Sequence, residues 1–140
     1  MTDDATLHAR HLLVCHEVLH DPFVSGAAYS LRGLVVHLRP NDDIGYPFAA
    51  ESLVLFAQVF GDAGRYDFWV DLFLVEDDAG ESHVSTFGPI SGIVRPGQFV
   101  DGVSLPLWDV PFPRPGIYEF RLRRDSVEEP LASERLLLKD

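Results

Sequence analysis

The chemistry this chain spells most openly lies at His16-Glu17-Val18-Leu19-His20. His-Glu-x-x-His is the pattern of a zinc metalloprotease helix, in which histidines one turn apart bind the metal and the glutamate activates a metal-bound water. Helix is the condition. On a strand, residues four apart are separated by roughly 13 Å, and one zinc with bonds of about 2 Å could not take both. The segment also stops at Asp21-Pro22, and no later His or Glu follows in a metalloprotease frame. A zinc-dependent hydrolase using His16, Glu17 and His20 therefore requires a helix here; on a strand these residues are a chance match and bind no metal. His8, His11, His37 and His83 could join a site only through folding. Nucleophile motifs are lacking: there is no Gly-x-Ser-x-Gly and no phosphate-binding Gly-rich loop, and Cys15 has no evident partner base.

A second set of residues points to binding rather than reaction. Asp67 and Asp71 flank Trp69 in Arg65-Tyr-Asp-Phe-Trp-Val-Asp-Leu-Phe73. On one strand face the two acids are roughly 13 Å apart, beyond the separation of paired carboxylates in glycoside hydrolysis. They read as solvated residues around a tryptophan, an arrangement suited to the hot spot of a sheet-face interface. With Phe73 and Trp108 they form the candidate contact set, and Phe56 and Phe60 add to an aromatic surplus over what one small core requires. Trp69 or Trp108 could alternatively be the stacking platform of a small-molecule or carbohydrate-binding module.

The element that must position Trp69 is the clearest in the chain. From Arg65 to Asp77 the even positions Tyr66, Phe68, Val70, Leu72 and Leu74 are all apolar, a period of two that demands a strand with one face buried. Ser52–Phe60, apolar on both faces, predicts a central strand, and Gly61-Asp62-Ala63-Gly64 a hairpin-length turn between the two. Tyr29–Arg39 reads as one strand with Leu34, Val36 and Leu38 on a common face. Ser82–Phe87 reads as a short strand, and Gly88–Gly97 is too punctuated by Gly and Pro for a long element. From Phe99 the positions Phe99, Val103, Leu105 and Leu107 share a face, with Gly102 and Pro106 implying a bulge or an edge. The prolines of Pro111-Phe-Pro-Arg-Pro-Gly116 remove ladder donors, so this piece crosses between sheets. Ile117–Arg124 alternates, with Tyr118, Phe120 and Leu122 inside, and Leu131–Leu138 pairs with it as a hairpin. Tyr118, just after Pro-Gly, resembles the corner tyrosine of sandwich folds, whose hydroxyl pins the crossing loop. Residues 1–7 read as a loose start. For His11–His20, helix and strand periods are both served.

The chain has 140 residues, enough for one domain with its own core, and its formal net charge is -11. That charge disfavours nucleic acid and anionic membranes. A single cysteine within Leu12-Leu-Val-Cys15 excludes an internal disulfide and suggests a buried thiol in a reducing compartment. No apolar run approaches the length of a membrane span, and the expectation is a cytoplasmic, soluble protein.

Leu12-Leu-Val-Cys15, Asp21-Pro22, Ser30-Leu-Arg-Gly-Leu34, Leu38-Arg-Pro40, Pro47-Phe48, Phe56-Ala-Gln58, Arg65-Tyr66, Leu74-Val-Glu-Asp77 and Pro111-Phe-Pro-Arg-Pro-Gly-Ile-Tyr118 resemble, in order, a family of small bacterial all-β proteins of unknown function. The resemblance implies a fold and no catalytic role, and it makes His11–His20 a strand. The expected architecture is a single-domain, antiparallel all-β sandwich of about eight short strands, immunoglobulin-like in architecture. The expected role is that of a non-enzymatic interaction module needing no cofactor, its partner a protein or a second copy.

Overall fold

A computed structural model describes residues 6–20, 29–40, 44–76, 80–96, 101–125 and 127–140. The start at residues 1–5, the loop at Pro22–Ala28, most of the turns at 41–43 and 77–79, Phe99 and Ser126 lie outside the described residues. Among the described residues nine strands form: β1 (Leu7–His20), β2 (Tyr29–Leu34), β3 (His37–Leu38), β4 (Phe48–Gly61), β5 (Gly64–Glu76), β6 (Gly80–Val94), β7 (Asp101–Phe112), β8 (Gly116–Arg124) and β9 (Ala132–Leu138). They make a four-stranded sheet, β2-β1-β4-β7, and a five-stranded sheet, β3-β9-β8-β5-β6. The sandwich is antiparallel except where β3 runs parallel to β9.

Alternation decides what goes between the sheets. Tyr66, Phe68, Val70 and Leu72 of β5 and Tyr118, Phe120 and Leu122 of β8 are essentially inaccessible, as are Leu53, Leu55, Ala57 and Val59 of β4 opposite them. β4 is flanked by β1 and β7, the central position its two apolar faces predicted. The tyrosine corner also forms: the Tyr118 hydroxyl donates to the Arg114 carbonyl at 2.7 Å and accepts from the Arg114 N–H at 3.2 Å. It ties down the crossing from β7 in one sheet to β8 in the other.

Four readings are corrected. The stretch Tyr29–Arg39 is two strands in different sheets. Gly33, at φ +66°, begins the break; Val35 turns inward, while Leu34 and Val36 are 59% and 72% exposed. The turn Gly61–Gly64 makes no hairpin, because β4 and β5 belong to opposite sheets. β6 continues through Gly88-Pro89 to Val94 because bulges absorb the irregular residues: the β5–β6 register shifts between Phe68 and Val70 and again between Leu72 and Phe73. Leu7 is not loose, since it begins β1 and is buried.

Replacing Tyr118 with Phe removes the corner hydroxyl and leaves both Arg114 backbone groups short of a partner. Urea denaturation is expected to show a loss of about 1–2 kcal/mol with an unchanged slope.

Candidate functional site

The outward residues of the five-stranded sheet form rows that cross its strands. Arg135, Glu119, Phe73 and His83 stand side by side on β9, β8, β5 and β6, and beside them Ser133, Arg121, Asp71 and Thr86. Trp69 pairs with Arg123, and Asp67 with Ser91. Neighbouring rows are tied diagonally. Arg123 Nε donates to Asp71 Oδ2 at 2.7 Å, Thr86 Oγ1 to Asp71 Oδ1 at 2.7 Å, and Ser91 Oγ to Asp67 Oδ1 at 2.8 Å. Arg121 pairs with Glu81 and, at 2.6 Å, with Glu119.

The aromatic rings are fixed by the same cations. The Arg121 guanidinium lies 4.1 Å from the centroid of Phe73, and that of Arg123 lies 5.4 Å from Trp69. Trp69 Nε1 donates to Asp125 Oδ1 at 3.3 Å. Beneath the indole, at the bulge, is Gly88: a Cβ there would come within 2.8 Å of the Phe68 carbonyl oxygen and 3.0 Å of the indole. A side chain at 88 would displace Trp69.

Asp67, Trp69, Asp71 and Phe73 thus share one face, as their spacing predicted. Asp67 and Asp71 are not free solvated groups, since each accepts a hydrogen bond from β6. Trp108 is elsewhere: it is 66% exposed on β7, an edge of the other sheet, opposite Ser52. What reading the residues alone missed are the partners Arg121 and Arg123, for which the only signal was their outward position on β8.

Electrostatics follow from this packing. Burial would raise the Asp71 carboxyl, but the hydrogen bonds from Arg123 and Thr86 outweigh it and hold the group below the ordinary value of 3.8. The hydrogen bond from Arg121 lowers Glu81 as well. His83 Nε2 is 2.7 Å from Thr86 Oγ1. Because the Thr86 proton goes to Asp71, the histidine donates and cannot act as a base toward that hydroxyl. The chain of contacts orients side chains; it does not activate a nucleophile.

The His-Glu-x-x-His segment lies on β1, so the helical condition for its zinc chemistry is not met. His16 packs over Gly33, and Glu17 pairs loosely with Arg32 at 3.9 Å on the exposed edge. The side chain of His20 lies outside the described residues. Among the described residues no three His, Cys, Asp or Glu side chains cluster as metal ligands. Comparison with family models and with curated proteins finds no match for the chain.

Two outcomes follow. The depressed pKa of Asp71 contributes stability above the ordinary carboxylate value of 3.8 that is lost as pH falls through its lower folded value. Asp71→Asn is therefore expected to be less stable than the parent at neutral pH, with the gap closing in acid, as denaturation midpoints across pH will show. Cys15 is buried, and that burial raises its thiol; a thiol reagent is expected to modify it only after denaturant is added.

Proposed function

We propose that this protein is a non-catalytic interaction module that pairs with a second copy of itself through the outer face of the five-stranded sheet. The observation that carries the reading is the Trp69–Arg123 and Phe73–Arg121 stacks, clamped by Asp71, Glu81 and Glu119. Trp and Arg are the residue types that dominate interface energies. Here they are already held in place, so little side-chain freedom remains to be lost on association.

Charge favours a second copy as the occupant. The chain carries -11 overall, yet on this face Arg65, Arg121, Arg123 and Arg135 oppose Asp67, Asp71, Glu81 and Glu119, with Asp125 at one corner. Two acidic chains repel least where each is nearly neutral. The sheet is roughly 20 by 30 Å by strand spacing and rise, about 600 Å², close to the roughly 800 Å² that one partner of a stable pair buries.

Three of the four sheet edges among the described residues suit a partner less well. β6 is broken by two bulges and by Pro89, which lacks an N–H. β7 carries Pro106, Pro111 and a kink at Asp109, φ +52°. On the outer side of β9, the N–H groups of Leu137 and Lys139 bond Val36 and Leu38, and that of Arg135 bonds the Glu134 carboxylate. Among the described residues no helix is long and apolar enough to cross a membrane.

Sedimentation velocity over a wide concentration range is expected to show a monomer–dimer equilibrium. Trp69→Ala should weaken it about tenfold or more, while Trp108→Ala leaves it unchanged. A strict monomer at the highest concentration, or a dimer indifferent to Trp69→Ala and Arg121→Ala, would overturn the proposal.

A further inference from the structure

On the outer face of the five-stranded sheet, aromatic rings, arginines and acids come as units. Trp69 carries the Arg123 guanidinium 5.4 Å from its centroid, and Asp71 holds that guanidinium at 2.7 Å. Phe73 carries Arg121 at 4.1 Å, and Glu119 holds it at 2.6 Å. Each unit is an aromatic ring, a guanidinium over it and a carboxylate that fixes the cation.

On the other sheet Trp108 has the ring and the acids of such a unit without its cation. The indole is 66% exposed, and among the described residues no guanidinium stacks on it. The backbone brings the acids to it. Alternation on β7 puts Leu105 and Leu107 inside, yet Val110 is inside too, because Asp109 at φ +52° is left-handed and reverses the face. Trp108 and Asp109 are therefore exposed in succession. On β4, which pairs Ser52 with Trp108 and Ala50 with Val110, the neighbours Glu51 and Ser52 are both exposed in the same way. Glu51 thus falls across from Asp109, and like charges at facing positions repel. Among the described residues neither carboxylate has a hydrogen bond or an ion pair. Pro106 and the half-buried Val54, a pair on the same face, extend the patch with apolar surface. An indole left in water forgoes the large burial an aromatic ring offers, and the facing acids add repulsion, so the patch costs the fold stability.

We infer that this patch docks an arginine-bearing segment of a partner protein, whose guanidinium lies on the Trp108 indole between Glu51 and Asp109. The partner then supplies to Trp108 what Arg123 supplies to Trp69. Charge complementarity selects this occupant: the chain carries -11, a basic segment is drawn to it, and one cation at this place relieves the repulsion of two acids. Arginine fits better than lysine, since a planar guanidinium stacks on a ring while its edge hydrogen-bonds carboxylates. The contact is made by side chains, because Pro106, Pro111 and the kink at Asp109 spoil β7 for strand addition. It is independent of self-association, because Glu51, Trp108 and Asp109 belong to the four-stranded sheet.

The chain has two tryptophans, so their indole N–H signals in an isotope-labelled NMR spectrum report the two sheets separately once Trp108→Phe identifies one of them. The probe is a pentapeptide of alternating glycine and arginine with blocked ends, and its control carries citrulline, the neutral isostere, in place of arginine. The arginine peptide is expected to shift the Trp108 signal saturably and to leave that of Trp69 in place, with binding of the citrulline peptide at least about tenfold weaker. Glu51→Gln and Asp109→Asn should each weaken binding about threefold or more, and asparagine keeps the left-handed backbone accessible. No saturable shift of Trp108, equal binding of the citrulline peptide, or full binding by a folded Glu51→Gln/Asp109→Asn double variant would overturn the inference. So would a Trp108 signal that moves with protein concentration alone, which makes a second copy the occupant, or one moved by maltotriose and not by the peptide, which makes the indole a sugar platform.

Discussion

The alternation of β5 is the constraint on which the other features depend. Every second side chain from Tyr66 to Leu74 is sealed between the sheets, and each intervening one stands on the outer face. A slip of one residue would put Trp69, Asp71 and Phe73 into the core and Phe68, Val70 and Leu72 into water. With several large apolar groups fully buried, each worth roughly 1.5–3 kcal/mol, the register is strongly determined. The geometry of the outer face is therefore enforced by packing on the opposite side of the strand rather than by the exposed residues themselves.

Bulges on β6 then tune what the register has set. The extra residue at Gly88-Pro89 lies opposite Trp69 and gives the indole room against bare backbone. It also interrupts an otherwise long edge, as bulges commonly do. The same irregularity thus seats the largest aromatic ring of the face and blunts the strand beside it. An uninterrupted β6 would offer fifteen residues of edge for pairing with other chains.

What was legible in the sequence was whatever depended on period two. The strands β5, β8 and β9 and the grouping of Asp67, Trp69, Asp71 and Phe73 followed directly, because neighbours on one face need only alternate. Sheet membership was not legible. Residue type alone groups Trp108 with Trp69, although β7 belongs to the other sheet, and Gly61–Gly64 looks like a hairpin turn whether it reverses the chain within a sheet or carries it across. A bulge and a loop have the same composition, so the sequence pattern ends this strand at Phe87 while β6 continues to Val94. The alternation Tyr118, Phe120, Leu122 extends to Arg124, so period two places this arginine on the inward face at the end of the core.

β8 contributes side chains to two regions, the outer face of the five-stranded sheet and the cleft at one end of the sandwich. Arg121 and Arg123 point outward to Phe73, Trp69 and Asp71, while Arg124 points inward to the end cleft, and Asp125 returns to the outer face to accept from the indole. The backbone between them is held on both sides: Phe68 pairs with Arg124, the Asp125 N–H bonds the Asp67 carbonyl at 2.9 Å, and the Leu131 N–H bonds the Leu122 carbonyl at 2.6 Å. A strand tethered in this way cannot shift Arg124 without disturbing Arg123, since neighbouring residues on a pleated strand move together while facing opposite ways. The outer face of the five-stranded sheet, built of paired charges and stacked rings, and the end cleft that Arg124 helps to line thus share one strand as their support.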